Sequence, residues 1–349
     1  MPRQARSYYK PAKILLFGEY ALLNGGEGLA IPYPHYRAVW QYARNNIKQA
    51  PHILSLQRIL AQWHDYIKQY QHSQSLPFEF DHESFESDLK HGLYIMSDIP
   101  QGYGLGSSGA ITALLYERYV RNALQINAHS DLIMPDEAAK NLDLLAILRQ
   151  HLALLEAFFH GSSSGIDPLV SYTQQALLVR DNQVQLLSNL PTLRAIEPNE
   201  AATSSPIDST SPQPYYIFLY NTGIARQTAP LVQQFKHKMA QEPAFAQICQ
   251  QTLTALNSQC IEAYSNKQYP DLLTAWQSLS ALQLTHFAHL IPTNALLQSW
   301  QRGIDKQYFW LKLCGAGGGG FLLGITQQYA LLNQYFEESK LSIYQIWTT

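Results

Sequence analysis

Between an apolar run and a strongly helical one, residues 100–110 read PQGYGLGSSGA, and this glycine-rich stretch constrains the fold more than any other segment. Gly102, Gly104, Gly106 and Gly109 carry no Cβ, so the backbone can wind tightly and bring its N–H groups close to a ligand. Ser107 and Ser108 fall where the helix ITALLYERYVRNAL is expected to begin. Hydroxyls and unpaired amides at the positive end of a helix dipole make a seat for phosphate. The same residues satisfy G-x-G-x-x-G from Gly104 to Gly109, the fingerprint of dinucleotide binding. That reading wants the glycines after the first strand of a βαβ unit, with an acidic residue about 20 positions on. Here the loop lies well into the chain, and the region of Asp131 reads as a loop leading to a helix. No G-x-x-x-x-G-K-[ST] occurs. Taken alone, the segment is also compatible with a plain glycine turn capping an ordinary helix.

A chain of 349 residues is long for one core and comfortable for two domains. With 46% hydrophobic and 14% charged residues it is globular, and a net charge of −2 gives no reason to expect nucleic acid or an anionic membrane as partner. An anionic ligand must therefore be held by local amides, a metal ion and a few placed cations. Cys249, Cys260 and Cys314 show no C-x-x-C spacing, which points away from a disulfide framework or a zinc site and towards the cytoplasm. The run after Lys13 is broken by Gly18-Glu19 and reads as a strand, not a signal segment, and no apolar run reaches the length of a membrane span.

Residues 13–17, 28–33 and 37–43 read as a strand meander, and 53–70 has helical spacing. A helix near 83–91 precedes the run into the glycine loop. A long, largely buried helix is expected over 137–160, stopped by Gly161, and a hairpin about a DN turn over 175–187. Residues 197–214 hold four prolines and almost no large apolar side chains, which marks a linker. Beyond it come a strand at 215–221, several helices between about 227 and 304, a strand ending at Lys312-Leu313, a second glycine run, a strand at 321–325, and a helix before a terminal strand.

Four segments carry weight together. They are PAKILLFGEY from Pro11 to Tyr20, the loop at 100–110, EAFFHGSSSGID from Glu156 to Asp167, and KLCGAGGGG from Lys312 to Gly320. In this order they resemble the GHMP kinases, and within that family the mevalonate kinase branch, whose H-G-x-x-S-G-x-D pattern stands here as His160-Gly161-Ser-Ser-Ser164-Gly165-Ile-Asp167. The resemblance implies an α+β, two-domain GHMP kinase fold. A ribosomal S5 domain 2-like N-terminal domain would span 1–198, a ferredoxin-like α+β C-terminal domain 213–349, and a linker 199–212.

The resemblance also implies roles. Asp167 and Lys13 are the expected catalytic pair, the carboxylate meeting the substrate hydroxyl and the ammonium lying beside it. Gly102, Gly104, Leu105, Gly106, Ser107, Ser108 and Gly109, with Gly315, Ala316, Gly317 and Gly318, are expected to hold ATP. Glu156 and Ser108 would bind Mg²⁺, and Glu19, Tyr20, His160 and Ser164 would line the substrate pocket. From the residues alone, Asp167 before Pro168 also reads as a helix N-cap with proline at N1. Glu156 near the end of a buried helix is unfavourable unless a cation compensates it. Six consecutive small residues from Gly315 to Gly320 would cost much backbone entropy for a mere turn.

The chain departs from the family pattern in several places. Glu19-Tyr20 stands where Gly-Glu-His is usual, Leu22 to Gly28 differs from V-V-x-G-x-P, Cys314 takes a place often held by threonine, and Gly109 replaces a more common alanine. The implied activity is ATP- and Mg²⁺-dependent phosphorylation of a small-molecule alcohol, with mevalonate to 5-phosphomevalonate as the leading expectation, in a cytoplasmic monomer or homodimer. Phosphomevalonate or a sugar as acceptor, a non-catalytic nucleotide-binding relative, and a dinucleotide oxidoreductase are the alternatives.

Overall fold

The computed structural model describes residues 9–44, 50–126, 135–191, 193–196 and 214–346. The expected linker at 199–212 and the loop around Asp131 lie outside them.

Strand β1 (Tyr9–Phe17) is buried along almost its whole length, from Lys10 to Phe17 with only Leu15 partly open, and pairs antiparallel with β2 (Gly28–Tyr42). The expected meander through residues 28–43 is this one long strand. Pro32 stays in register opposite Lys13, whereas the register slips between Pro11 and Ala12, whose partners are Arg37 and Tyr33, so the segment of Pro34 bulges out of the ladder. Helix α1 (Pro51–Ser73), strand β3 (Glu79–Phe80), helix α2 (His82–Lys90) and strand β4 (Leu93–Ser97) follow. The glycine loop then leads into α3 (Ser107–Tyr119) and β5 (Val120–Arg121), and α4 (Pro135–His160) runs into α5 (Ile166–Thr173). Strands β6 (Ala176–Arg180) and β7 (Gln183–Leu187) form the expected hairpin, with Asp181 and Asn182 both at positive φ in its turn. The first sheet has the order β1-β2-β6-β7, with β4 also on β2, and α3 and α5 lie against β1 and β2.

After β8 (Leu193–Ala195) and β9 (Tyr215–Asn221) come α6 (Thr228–Gln241), α7 (Pro243–Gln247), a π-helical stretch Ile248–Leu253, α8 (Thr254–Ser265), α9 (Tyr269–His286) and α10 (Asn294–Lys306). Strands β10 (Trp310–Leu313), β11 (Phe321–Thr326) and β12 (Leu341–Ile346) complete a second antiparallel sheet in the order β10-β11-β9-β12-β8. Its outer strand β8 precedes the linker in sequence. The stretch before β12, expected as a helix, is two 3₁₀ turns, Tyr329–Gln334 and Glu338–Lys340. Tertiary packing sets them, since Tyr329 packs on Tyr216 and Phe336 on Tyr220, with ring centroids 4.5 and 4.7 Å apart.

The fold is α+β in two halves, as expected. Their cores meet at Phe17, whose ring packs edge-on against Trp276 of α9 and Tyr264 of α8. Among the described residues, no helix is long and apolar enough to cross a membrane.

Candidate active site

The site is built where β1, the first glycine loop, the α4–α5 junction and the second glycine loop converge. The Lys13 amide donates to the Leu105 carbonyl at 2.9 Å, stitching the loop to β1. The Lys13 ammonium lies 3.0 Å from Asp167 Oδ1, and that carboxylate keeps about a third of its surface open, at 35%. Gly106 stands at φ +70° directly behind the pair, where a Cβ would come within 2.8 Å of Lys13 Cγ. Only glycine suits that conformation and that space.

Gly106 also occupies the N-cap position of α3, and no side chain caps the helix. The first amides, at Ser107, Ser108 and Gly109, thus begin a helix with its positive dipole end turned to the loop, an arrangement that receives anions. Asp167 differs from its expected N-cap position. Gly165, in the left-handed conformation, is the N-cap of α5, and Asp167 sits inside the first turn with Pro168 after it. The glycine moves the helix start two residues upstream, and the carboxylate still complements the dipole from there.

Ser108 and Glu156 form the second cluster. The Ser108 hydroxyl donates to Glu156 Oε1 at 2.8 Å, and His160 Nε2 lies 3.1 Å from the same hydroxyl oxygen. Ser163 Oγ holds Glu156 Oε2 at 2.5 Å. Burial pushes the Glu156 carboxyl above the usual carboxylate range, and the neighbouring Asp167 adds to this against the two hydroxyl donors. Among the described residues no group of three or more His, Cys, Asp or Glu is arranged to hold a metal ion. A carboxylate and a hydroxyl facing a phosphate seat are, however, hard oxygen donors of the kind Mg²⁺ takes when ligand oxygens and water fill its other positions. A cation would also offset the cost of burying Glu156. The residues fit Mg²⁺.

The second glycine ribbon comes from the other half of the molecule, between β10 and β11. Glu19 and Tyr20, expected in the substrate pocket, both reach into it. Glu19 makes a fully buried ion pair with Lys312 at 2.7 Å and accepts from the Gly315 amide at 3.4 Å. Burial raises the pKa of its carboxyl against the pull of the Lys312 ammonium. Tyr20, at φ 60°, donates its hydroxyl to the Ala316 carbonyl at 2.6 Å, with its ring against Phe235 and Phe287. Burial pushes the phenol's pKa well up, so Tyr20 serves as a donor. Ser164 is exposed, its hydroxyl accepting from the Ile166 amide and its carbonyl from Arg149.

Three residues escape the sequence reading. Arg226, in the loop after β9, donates to the carbonyls of Cys314 at 3.0 Å and Gly317 at 2.7 Å, while its own amide donates to Gly102 at 3.1 Å. A Cβ on Gly104 would run into its guanidinium. Arg226 therefore lies between the two ribbons, and nothing in its local sequence announces it. Lys312 carried a signal, being the one charge in the buried strand WLKL. Ser163 is one small residue in a row of three serines.

Comparison with known proteins bears on the fold that carries this site. No family model matches the chain. Its sequence is 24% identical to the mevalonate kinase of Archaeoglobus fulgidus over 319 residues, covering 90% of both chains. It is 23% identical to that of Dictyostelium discoideum over 262 residues, covering 70% of this chain and 60% of the Dictyostelium protein. The structure superposes on L. major mevalonate kinase in complex with R-mevalonate with a TM-score of 0.57 and 17% identity, covering 99% of this chain and 98% of the other. The chain has the GHMP kinase fold. A second GHMP kinase structure, Streptococcus pneumoniae phosphomevalonate kinase in complex with phosphomevalonate and AMPPNP, matches with a TM-score of 0.55 and 16% identity over 97% of this chain and 99% of that one. Within the GHMP kinase fold, the four segments singled out in the sequence converge on one place.

Proposed function

We propose that the chain is an ATP-dependent kinase of a small-molecule alcohol, with mevalonate as acceptor and 5-phosphomevalonate as product, serving isoprenoid precursor synthesis in the cytoplasm. The observation that carries this reading is the Lys13–Asp167 pair, 3.0 Å apart and backed by Gly106 at the uncapped start of α3. An acid and an amine beside a phosphate seat are the parts phosphoryl transfer needs.

In this reading the ATP phosphates lie on the amides of the loop from Gly102 to Gly109, and Gly315, Ala316, Gly317 and Gly318 approach them from the other half. The acceptor oxygen forms its bond to the γ-phosphorus as the bond to the β,γ-bridging oxygen breaks. The hydroxyl proton passes to Asp167, and ADP leaves. Because the transition state is loose, a weak base suffices and positioning carries most of the rate. The Lys13 ammonium orients the carboxylate and steadies charge on the transferring group. Glu156 and Ser108 would hold Mg²⁺, which when bound neutralises charge on the phosphates. His160 orients Ser108 through their 3.1 Å contact.

Mevalonate is supported by the sequence relatives of that name. One observation favours a second acceptor. Tyr20 stands where the family histidine is usual and engages its hydroxyl with Ala316, so this position offers an acceptor no imidazole. Phosphomevalonate or a sugar would then be phosphorylated by the same machinery. A panel of mevalonate, phosphomevalonate and galactose, with ADP release and product mass as readouts, tests both. Turnover of mevalonate supports the first reading, and turnover of another alcohol without mevalonate replaces it. Consumption of none would overturn the kinase assignment and favour a nucleotide-binding relative.

A further inference from the structure

Gly109 lies within the first turn of α3, where alanine is the better helix former and the more common residue of the family motif. Its backbone is not in the left-handed region, so conformation does not demand glycine. Space does. An ideal Cβ on Gly109 would stand 2.7 Å from the carbonyl carbon of Asp167, 2.7 Å from the nitrogen of Pro168 and 3.0 Å from Asp167 Cβ. The first two are main-chain atoms, one of them locked into a proline ring, so no side-chain rotation relieves the collision. Helix α5 would have to back away from α3.

Its room to do so is small. Gly165, at the start of α5, already packs so closely on the Arg149 carbonyl of α4 that a Cβ there would overlap it, and Leu169 and Val170 are fully buried. On the other side of Asp167, a Cβ on Gly106 would come within 3.3 Å of Oδ2. Two glycines of one loop thus bracket a single aspartate, Gly109 against its backbone and Gly106 against its carboxylate. We infer that Gly109 is a positioning residue for Asp167: the missing methyl lets the first turn of α5 close onto α3 so that the carboxylate meets Lys13.

The inference rests on the kinase reading for its kinetic consequence but not for its structural one. In Gly109→Ala, kcat for the transfer should fall about ten- to a hundredfold, the scale expected when a reacting group is displaced by a fraction of an ångström. KM for ATP should stay within about threefold, because the loop amides keep their place. A purely structural role would instead lower the unfolding temperature and leave kcat of the folded fraction alone. The double variant Gly109→Ala/Pro168→Ala frees the first turn of α5 to yield, so it should fold at least as well as the single variant and keep the low kcat. A crystal structure of either variant should show Lys13 Nζ and Asp167 Oδ1 separated beyond their present 3.0 Å. Parental kcat in a folded variant, or an unchanged Lys13–Asp167 distance, would overturn the inference. The distance reads out even if the parent chain transfers no phosphate, an outcome that would strike the kinase reading alone.

Discussion

Glu156 shows at the scale of one residue how a site is maintained against stability. Its carboxylate is buried at the end of α4, faces Asp167, and is gripped on one oxygen by Ser108 and on the other by Ser163. With its pKa raised above the ordinary value of 4.5, the folded chain binds more protons than the unfolded one as pH climbs from that value through the raised one. Stability contributed by the neutral form is therefore lost across that window, and near neutral pH the charge opposes folding. Glu156→Gln should raise the unfolding temperature near neutral pH by roughly 2–5 °C, with the difference closing towards about pH 4. The same variant should lose the stabilisation that Mg²⁺ with ATP gives the parent, which a thermal-shift titration would read. A variant less stable than the parent near neutral pH would contradict this account. Ser163 was invisible in the sequence because its role depends on which of three adjacent hydroxyls turns towards α4, and only the loop geometry settles that.

Elements differ in how much of them the sequence discloses. The glycine ribbons, the start of α3 and the DN hairpin were legible because each rests on local conformational rules, namely glycine at a close approach and Asx residues at positive φ. The single strand β2 was not, since Pro32 and Pro34 argue against a strand, and only the pairing with β1 shows that Pro32 keeps its register while a bulge takes up Pro34. The 3₁₀ turns before β12 follow from aromatic contacts to β9, which no local pattern encodes. Tyr20 belongs to this scale too, because its hydroxyl anchors the second ribbon at Ala316. Tyr20→Phe leaves that buried carbonyl unpaired, at a cost of about 1–2 kcal/mol. Steady-state kinetics should show KM for ATP raised roughly three- to tenfold, with kcat changed much less. An unaltered KM would mean that the ribbon does not depend on this anchor.

Across the whole molecule, the two halves are fastened where the chemistry is proposed. Glu19 and Lys312 pair in a fully buried contact, and Arg226 joins the carbonyls of one ribbon to the backbone of the other. The sequence supplied Glu19 and Lys312 in ordered motifs, but their pairing depends on how the halves dock, and Arg226 lies in none of those motifs. Lys312→Met strands a buried carboxylate and should cost about 3–5 kcal/mol in denaturant unfolding, most of it recovered in Glu19→Gln/Lys312→Met. A single variant as stable as the parent would show that the pair is not what holds the halves together. The central claim, that two ribbons hold a triphosphate while Asp167 and Lys13 meet the accepting alcohol, is tested most directly by following γ-phosphoryl transfer from ATP to mevalonate in the parent and in Asp167→Asn. The account predicts transfer by the parent and a kcat lower by about 10²–10⁴ in the variant, with KM for ATP nearly unchanged. Equal turnover by the two proteins would contradict it.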